Sequence, residues 1–352
     1  MTKSKRALIT GITGQDGSYL AKFLLDKNYT VYGTFRRLST PNFWRLLYLG
    51  IQDQINLISA ELADFSSLME AIKIAKPDEV YNLAAQSYVG ASFEQPLASG
   101  EYTGLAVNRM LESIRLTDPQ IKFYQASSSE IFGNSIKNSQ NEETPFKPKS
   151  PYAIAKLYGY WTTKIYREGY NMFATNGILF NHESPIRGLE FVTRKISNTV
   201  ARIKLGLQKR LILGNLKGSR DWGYAPEYVE GMWKILQQKQ PDDFVLATNE
   251  THTVLEFTKL AFLYVDLKWE KYVKSDKKFY RILDVNSLKG DSTKAQKRFG
   301  WKPKIKFKNL VKIMMDADLD RWSRWKKGEH FPLDAYNYIN EEKLLFRHYQ
   351  KN

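Results

Sequence analysis

The chain has 352 residues, 43% hydrophobic and 14% aromatic, enough for one large domain or two smaller ones with a sizeable core. It has no cysteine, which excludes disulfides and thiolate metal sites, and its four histidines do not stand at metal-ligand spacing. The formal charge of +16 comes largely from lysines spread along the chain, without an arginine-rich arm. It reads first as a lysine-rich surface, next as a site for an anionic small molecule, and last as nucleic-acid binding. No apolar leader opens the sequence and no run approaches the ~20 residues that span a bilayer. A soluble, cytoplasmic protein without membrane or nucleic-acid partners is expected.

In chain order, "RALITG" (6–11) is a short apolar strand ending in glycine, and "SYLAKFLLDKN" (18–28) has helical period. "YTVYGTF" (29–35) is a strand, "INLISA" (55–60) another, and "SSLMEAIKIA" (66–75) a helix. "EVYNLAA" (79–85) reads as a strand and 96–115 as one long helix. Strand 121–127, helix 150–170 and strand 172–180 follow. This alternation predicts an α/β fold: a doubly wound, mostly parallel sheet of Rossmann type with helices on both faces. Ligands of such sheets bind at the carboxyl ends of the strands. From Asn181 the pattern loosens into short apolar segments and polar turns, which predicts a smaller α/β substrate-binding domain. The expected division is 1–180, with a return segment near 222–250, for the dinucleotide domain. Residues 181–221 and 251–320 form the second domain, and 321–352 an aromatic, basic C-terminal extension.

"LITGITGQDGSYL" places Gly11, Gly14 and Gly17 in a T-G-x-x-G-x-x-G pattern between the first strand and first helix. Glycines there allow a tight turn, close approach of a pyrophosphate and close helix packing, while the helix N-terminus offers free N–H groups to the anion. The second strand closes on Arg36 and Arg37. An acid at that place suits a ribose 2′-hydroxyl, whereas arginine suits a 2′-phosphate, so NADP is expected over NAD.

"QASSSEIFG" sets Ser127 to Ser129 and then Glu130 at a strand end, either a plain loop or a cluster of hydroxyls beside an acid. Tyr152 and Lys156 stand four apart on a predicted helix, hence on one face. A neighbouring ammonium favours tyrosinate, so Lys156 is expected to lower the Tyr152 pKa toward working pH and let it take a proton from a hydroxyl.

These motifs together resemble the extended short-chain dehydrogenase/reductase family. "GITGQDGSYL", "YNLAAQSYVGASFEQP", "PFKPKSPYAIAKLYGYW" and "LGNLKGSRDWGYAPEYVEGMW" resemble GDP-mannose 4,6-dehydratases in particular, over about residues 5–320. The resemblance implies an enzyme that oxidises C4 of a GDP-bound hexose, eliminates water across C5 and C6, and returns the hydride to C6. It implies Ser128, Glu130, Tyr152 and Lys156 as catalytic residues, with Glu130 as the base at C5, a group an epimerase does not need. For a tightly bound NADP it implies Gly11, Gly14, Gln15, Asp16, Gly17, Arg36, Glu61, Leu62, Leu83, Ala85, Ser87, Tyr152, Lys156, His182 and Arg187. For the GDP-sugar it implies Ser87, Ser128, Glu130, Tyr152, Asn181, Lys195, Arg220, Arg281 and Asp284.

The residues leave alternatives for two of these: His182 also reads as a polar loop residue, and Arg220 as a partner of Asp221 or of an exposed carbonyl. A homodimer or homotetramer is implied by the wider family. Departures from the family pattern are Ser128 for the usual threonine, Glu61 for aspartate, Leu38 for serine, and "RILDVN" with Ile282 and Asp284. They leave room for GDP-manno-heptose as substrate, or for another GDP-sugar epimerase or reductase activity.

Overall fold

The computed structural model describes residues 4–39, 42–134, 139–280 and 282–329. Its core is one sheet of seven strands: β1 (Arg6–Thr10), β2 (Thr30–Phe35), β3 (Asn56–Ser59), β4 (Glu79–Asn82), β5 (Lys122–Ser128), β6 (Ala174–Leu179) and β7 (Phe244–Leu246). The order is β7-β6-β5-β4-β1-β2-β3, and every pair is parallel. β4 and β6 are buried at every residue, as strands covered on both faces must be.

The helices that frame the sheet and site are α1 (Gln15–Leu25), α2 (Phe65–Ala75), α3 (Ala106–Thr117), α4 (Pro151–Gly169), α5 (Val192–Lys204), α6 (Ala225–Leu236), α7 (Val254–Tyr264) and α8 (Phe307–Lys326). Leu20 and Leu24 of α1 and Met232 and Ile235 of α6 pack on one face with Ile9, Val31 and Tyr124. Leu68 and Ile72 of α2, Met110 and Ile114 of α3 and Tyr166 of α4 cover the other with Leu8, Val80 and Phe123. A separate core joins α5, α7 and α8 through Ile196, Val200, Phe257, Phe262, Leu310 and Met314.

Three boundaries differ from the sequence reading for physical reasons. α1 begins at Gln15, inside the glycine motif, so the loop is shorter than the apolar period suggests. β4 ends at Asn82 because the Thr10 hydroxyl accepts the next two N–H groups, of Leu83 and Ala84, at 3.0 and 3.1 Å. The helix read as continuous over 96–115 contains a wide π turn, Gly100–Leu105, ahead of α3. At the far end α8 runs unbroken through residue 321; beyond 329 the expected extension lies outside the described residues.

Strand order reverses between β1, which pairs with β2, and β4, which continues toward β7. At such a switch the loops leaving neighbouring strands diverge and open a crevice at the carboxyl edge.

Candidate active site

The chain leaves β1 through Gly11 at φ +71°. A Cβ there would lie 2.9 Å from Ala84 Cα, and one at Gly17 would lie 2.3 Å from the Gly11 carbonyl oxygen. Glycine is therefore required at both, for the turn and for the seating of α1. Gly14 precedes α1 without a side-chain cap, which leaves first-turn N–H groups for an anion. Leu83 and Ala85, half-buried after β4, flank this loop, with Glu61 and Leu62 half-buried after β3 and Arg36 exposed after β2. A cradle that a Cβ would fill, opening on an uncapped helix end, fits the diphosphate of a dinucleotide.

Gln15 and Asp16 turn toward the short strand Asn181–Glu183 that continues beyond β6. Gln15 donates to the His182 carbonyl at 3.1 Å and accepts from the Ser184 hydroxyl at 2.7 Å. Asp16 Oδ2 lies 2.8 Å from His182 Nε2, and His182 Nδ1 lies 2.7 Å from the Phe180 carbonyl. Both ring nitrogens thus face oxygen acceptors, the arrangement of a protonated imidazolium. Burial opposes both charges, yet each holds the other ionised. The His182 pKa is raised by Asp16, and Asp16 is pushed down to about 2 by His182 and then Arg187. His182 stacks on Tyr228, and its ring is held between Asp16 and the Phe180 carbonyl.

Ser128 ends β5, and its hydroxyl accepts the Glu130 N–H at 3.2 Å, so the serine caps the turn that presents Glu130. Ser150 caps α4 by accepting from Ala153 at 3.1 Å, and Pro151 starts the helix, which sets Tyr152 and Lys156 on its sheet-facing side. Ser128, Glu130, Tyr152 and Lys156 are all buried.

The structure corrects one expectation here. The Tyr152 pKa is pushed up to about 12, first by burial and then by the Glu130 charge, against hydrogen bonding from Ser128 and the charge of Arg187. The Lys156 ammonium donates to the Ala126 carbonyl at 2.7 Å and stands 5.8 Å from the Tyr152 ring centre. Burial lowers the Lys156 pKa to about 8. Without a ligand, Tyr152 is a neutral phenol at pH 7.

Next to these residues lies a cavity of about 290 Å³ lined by Asn181, Lys195, Arg220 and Asp284 among others. Arg220 is buried; it donates to the Ser219 and Val285 carbonyls at 2.9 and 2.8 Å. Its Nε and Nη2 stand 3.8 Å from Glu130 and 3.7 Å from Asp284. Asp221 accepts from Thr248, Asn249 and Gly290. Lys195 sits 4.6 Å over the Phe279 ring. Ser87 is exposed and outside the lining, whereas its neighbour Tyr88 is part of it. Arg281 lies outside the described residues.

Sequence reasoning missed Glu183 and Arg45. Glu183 lines the cavity, accepts the Thr193 hydroxyl at 2.6 Å and stands 3.2 Å from Arg187 Nε. Arg45 joins the glycine loop to the loop after His182, donating to the Thr13 and Ile186 carbonyls at 3.1 and 2.8 Å. The "NHES" stretch signals Glu183 by alternation with Asn181 along a strand; nothing near Arg45 signals its partners.

A parallel sheet of this order, with a dinucleotide loop at its switch point and a buried Ser-Glu-Tyr-Lys set at its carboxyl edge, defines a nicotinamide-dependent sugar-nucleotide enzyme of the short-chain dehydrogenase/reductase type. The family model described as GDP-mannose 4,6 dehydratase matches residues 8–314. GDP-mannose 4,6 dehydratase 1 of Arabidopsis thaliana is 51% identical over 332 residues, spanning 92% of this chain and 92% of that protein. The chain therefore belongs to the GDP-mannose 4,6-dehydratase family. Among solved structures, dTDP-glucose 4,6-dehydratase from Bacillus anthracis in complex with NAD superposes with a TM-score of 0.79 at 19% identity, covering 93% of this chain and 100% of that one. RMD from Pseudomonas aeruginosa complexed with NADPH gives 0.73 at 20% identity, covering 90% and 98%. These two share the fold. Among the described residues no helix is long and apolar enough to cross a membrane.

Proposed function

We propose that this protein converts GDP-mannose to GDP-4-keto-6-deoxymannose, with NADP as a resident cofactor regenerated in each cycle. The observation that carries the reading is Glu130, a buried carboxylate at the end of β5 between the Ser128–Tyr152–Lys156 group and the cavity guanidinium of Arg220. An oxidoreductase alone needs no such acid; a 4,6-elimination needs one to move the C5 proton.

The bound nicotinamide supplies the hydride acceptor at C4 and the hydride donor at C6. Tyr152 takes the proton of the C4 hydroxyl, for which its phenol must first give up its own; the Arg187 charge and the Ser128 hydrogen bond favour that ionisation. Lys156 holds a positive charge beside the ring at neutral pH. Ser128 orients the C4 oxygen. Glu130 removes the C5 proton made acidic by the C4 ketone, and the C6 hydroxyl departs as water with that proton. C5 takes a proton from solvent as C6 is reduced, while Tyr152 releases to solvent the one it took. One water leaves, and no net reductant is consumed. Lys195 and Arg220 are the cations for the diphosphate. Exposed Arg36 at the end of β2 supports NADP over NAD. Ser128, which lacks the methyl of threonine, supports GDP-manno-heptose as a second substrate.

Mass spectrometry of GDP-mannose and GDP-manno-heptose incubated with the enzyme tests the reading. Loss of one water from GDP-mannose supports it. An unchanged mass, or a product that forms only with stoichiometric NADPH, overturns it.

A further inference from the structure

The segment 184–187 carries Arg187, and three successive carbonyls of this loop are held by three arginines. Arg194 of α5 donates from Nη1 to Pro185 O at 2.5 Å and to Arg187 O at 3.0 Å. Arg321 of α8 donates to Pro185 O at 3.1 Å, and Arg45 to Ile186 O at 2.8 Å. Two of these guanidiniums are oriented by one carboxylate. Asp318 of α8 accepts from Arg194 Nε at 3.0 and 3.1 Å and pairs with its Nη2 at 2.9 Å. It also accepts from Ser197 at 2.6 Å and pairs with Arg321. Arg194 and Asp318 are fully buried, and Arg321 is 2% exposed.

We propose that Asp318, on the C-terminal helix, is a positioning residue that fixes the 185–187 backbone through Arg194 and Arg321 and thereby aims the Arg187 side chain into the cofactor site. The side chain of Arg187 is completed locally, by Glu183 at 3.2 Å and by the Phe191 ring 3.5 Å beneath it. Its backbone is set from α8, which does not line the cavity. Arg194 precedes Lys195 in α5, so the same carboxylate also fixes the turn that presents a cavity cation. A buried fork of this kind has one geometry, because each guanidinium donates in a fixed plane to the carboxylate on one edge and to a carbonyl on another. A small misplacement of a charged group at a site is enough to lose much of its effect.

The proposal rests on the reading of the glycine loop as a nicotinamide dinucleotide site. Its test is a binding cycle on the full-length chain freed of nucleotide, with NADP⁺ and NAD⁺ titrated by protein fluorescence. Asp318→Asn is expected to weaken NADP⁺ binding at least ~10-fold, but less than ~2-fold when Arg187 is already alanine, because both changes remove the same contact. Asp243→Asn, which removes a buried acid paired with Arg167 away from this loop, is expected to lower stability and leave NADP⁺ affinity within about 2-fold. An equal loss in both Arg187 backgrounds, no loss, or the same loss from Asp243→Asn overturns the proposal. Should Asp318→Asn not fold, Arg321→Lys, which keeps the charge and loses the fork, is put through the same cycle with the same non-additivity expected. Wild-type protein that binds neither nucleotide overturns the cofactor reading instead.

Discussion

At the residue scale the site works by keeping several charges in a buried space and aiming each at a partner. Glu130 is the residue on which the proposed chemistry turns. Glu130→Gln keeps its shape and is expected to lower dehydration by about 10²–10⁴-fold while NADP⁺ binding is retained, read by steady-state kinetics and titration. Ser128→Thr adds one methyl at the C4 side. It is expected to shift the kcat/KM ratio toward GDP-mannose over GDP-manno-heptose by roughly 10-fold.

Asp16 makes a prediction about pH. Its folded pKa, about 2, lies below the ordinary 3.8, so its stabilising effect is complete above pH 3.8 and is lost as pH falls toward 2. The side chain keeps 23% of its surface exposed, and solvent screening limits the effect to roughly 1–2 kcal/mol. Urea unfolding of wild type and Asp16→Asn should therefore differ by that amount at neutral pH and converge in this acid window.

At the scale of elements, the glycine loop and α4 carry the predictions. Gly17→Ala would put a Cβ 2.3 Å from a carbonyl oxygen and 2.8 Å from Ile12 Cα, so α1 has to move. A loss of about 1–3 kcal/mol in stability, with weakened NADP⁺ binding, is expected from chemical denaturation and titration. The outer side of α4 exposes Ile154, Tyr158, Trp161 and Ile165, and neighbouring segments expose Leu97 and Leu105. A contiguous apolar face of this kind suits a second copy of the chain. If copies associate through this face, replacement of Ile154 and Ile165 by aspartate lowers the light-scattering mass.

Elements that pack against their sequence neighbours were legible. The alternation of strands and helices marked β1 to β6, and spacing put Tyr152 and Lys156 on one face of α4. The π turn in 100–105 was not legible, because its residues keep helical composition and differ only in hydrogen-bond reach.

At the scale of the whole molecule, what escaped the sequence is what joins distant segments. Arg45, Arg194, Asp318 and Arg321 belong to three separate helical segments and meet only once α5 and α8 have packed. The direction of the Tyr152 pKa escapes the sequence for a related reason: spacing places Lys156 beside it, but only the packed fold shows how deeply the phenol is buried. The glycine loop, the β5 end and α4 are brought to one carboxyl edge by the parallel sheet, while α5, packed on α8, supplies Lys195 to the cavity.

The central claim is that one site removes a hydride and gives it back to the same sugar. Incubation of GDP-mannose carrying deuterium at C4 with enzyme in ordinary water, followed by mass spectrometry and NMR of the product, tests it directly. A product short of one water, with the deuterium at C6 and no accumulation of NADPH, is expected. Deuterium lost to solvent, or left on a released nicotinamide in stoichiometric amount, would contradict it.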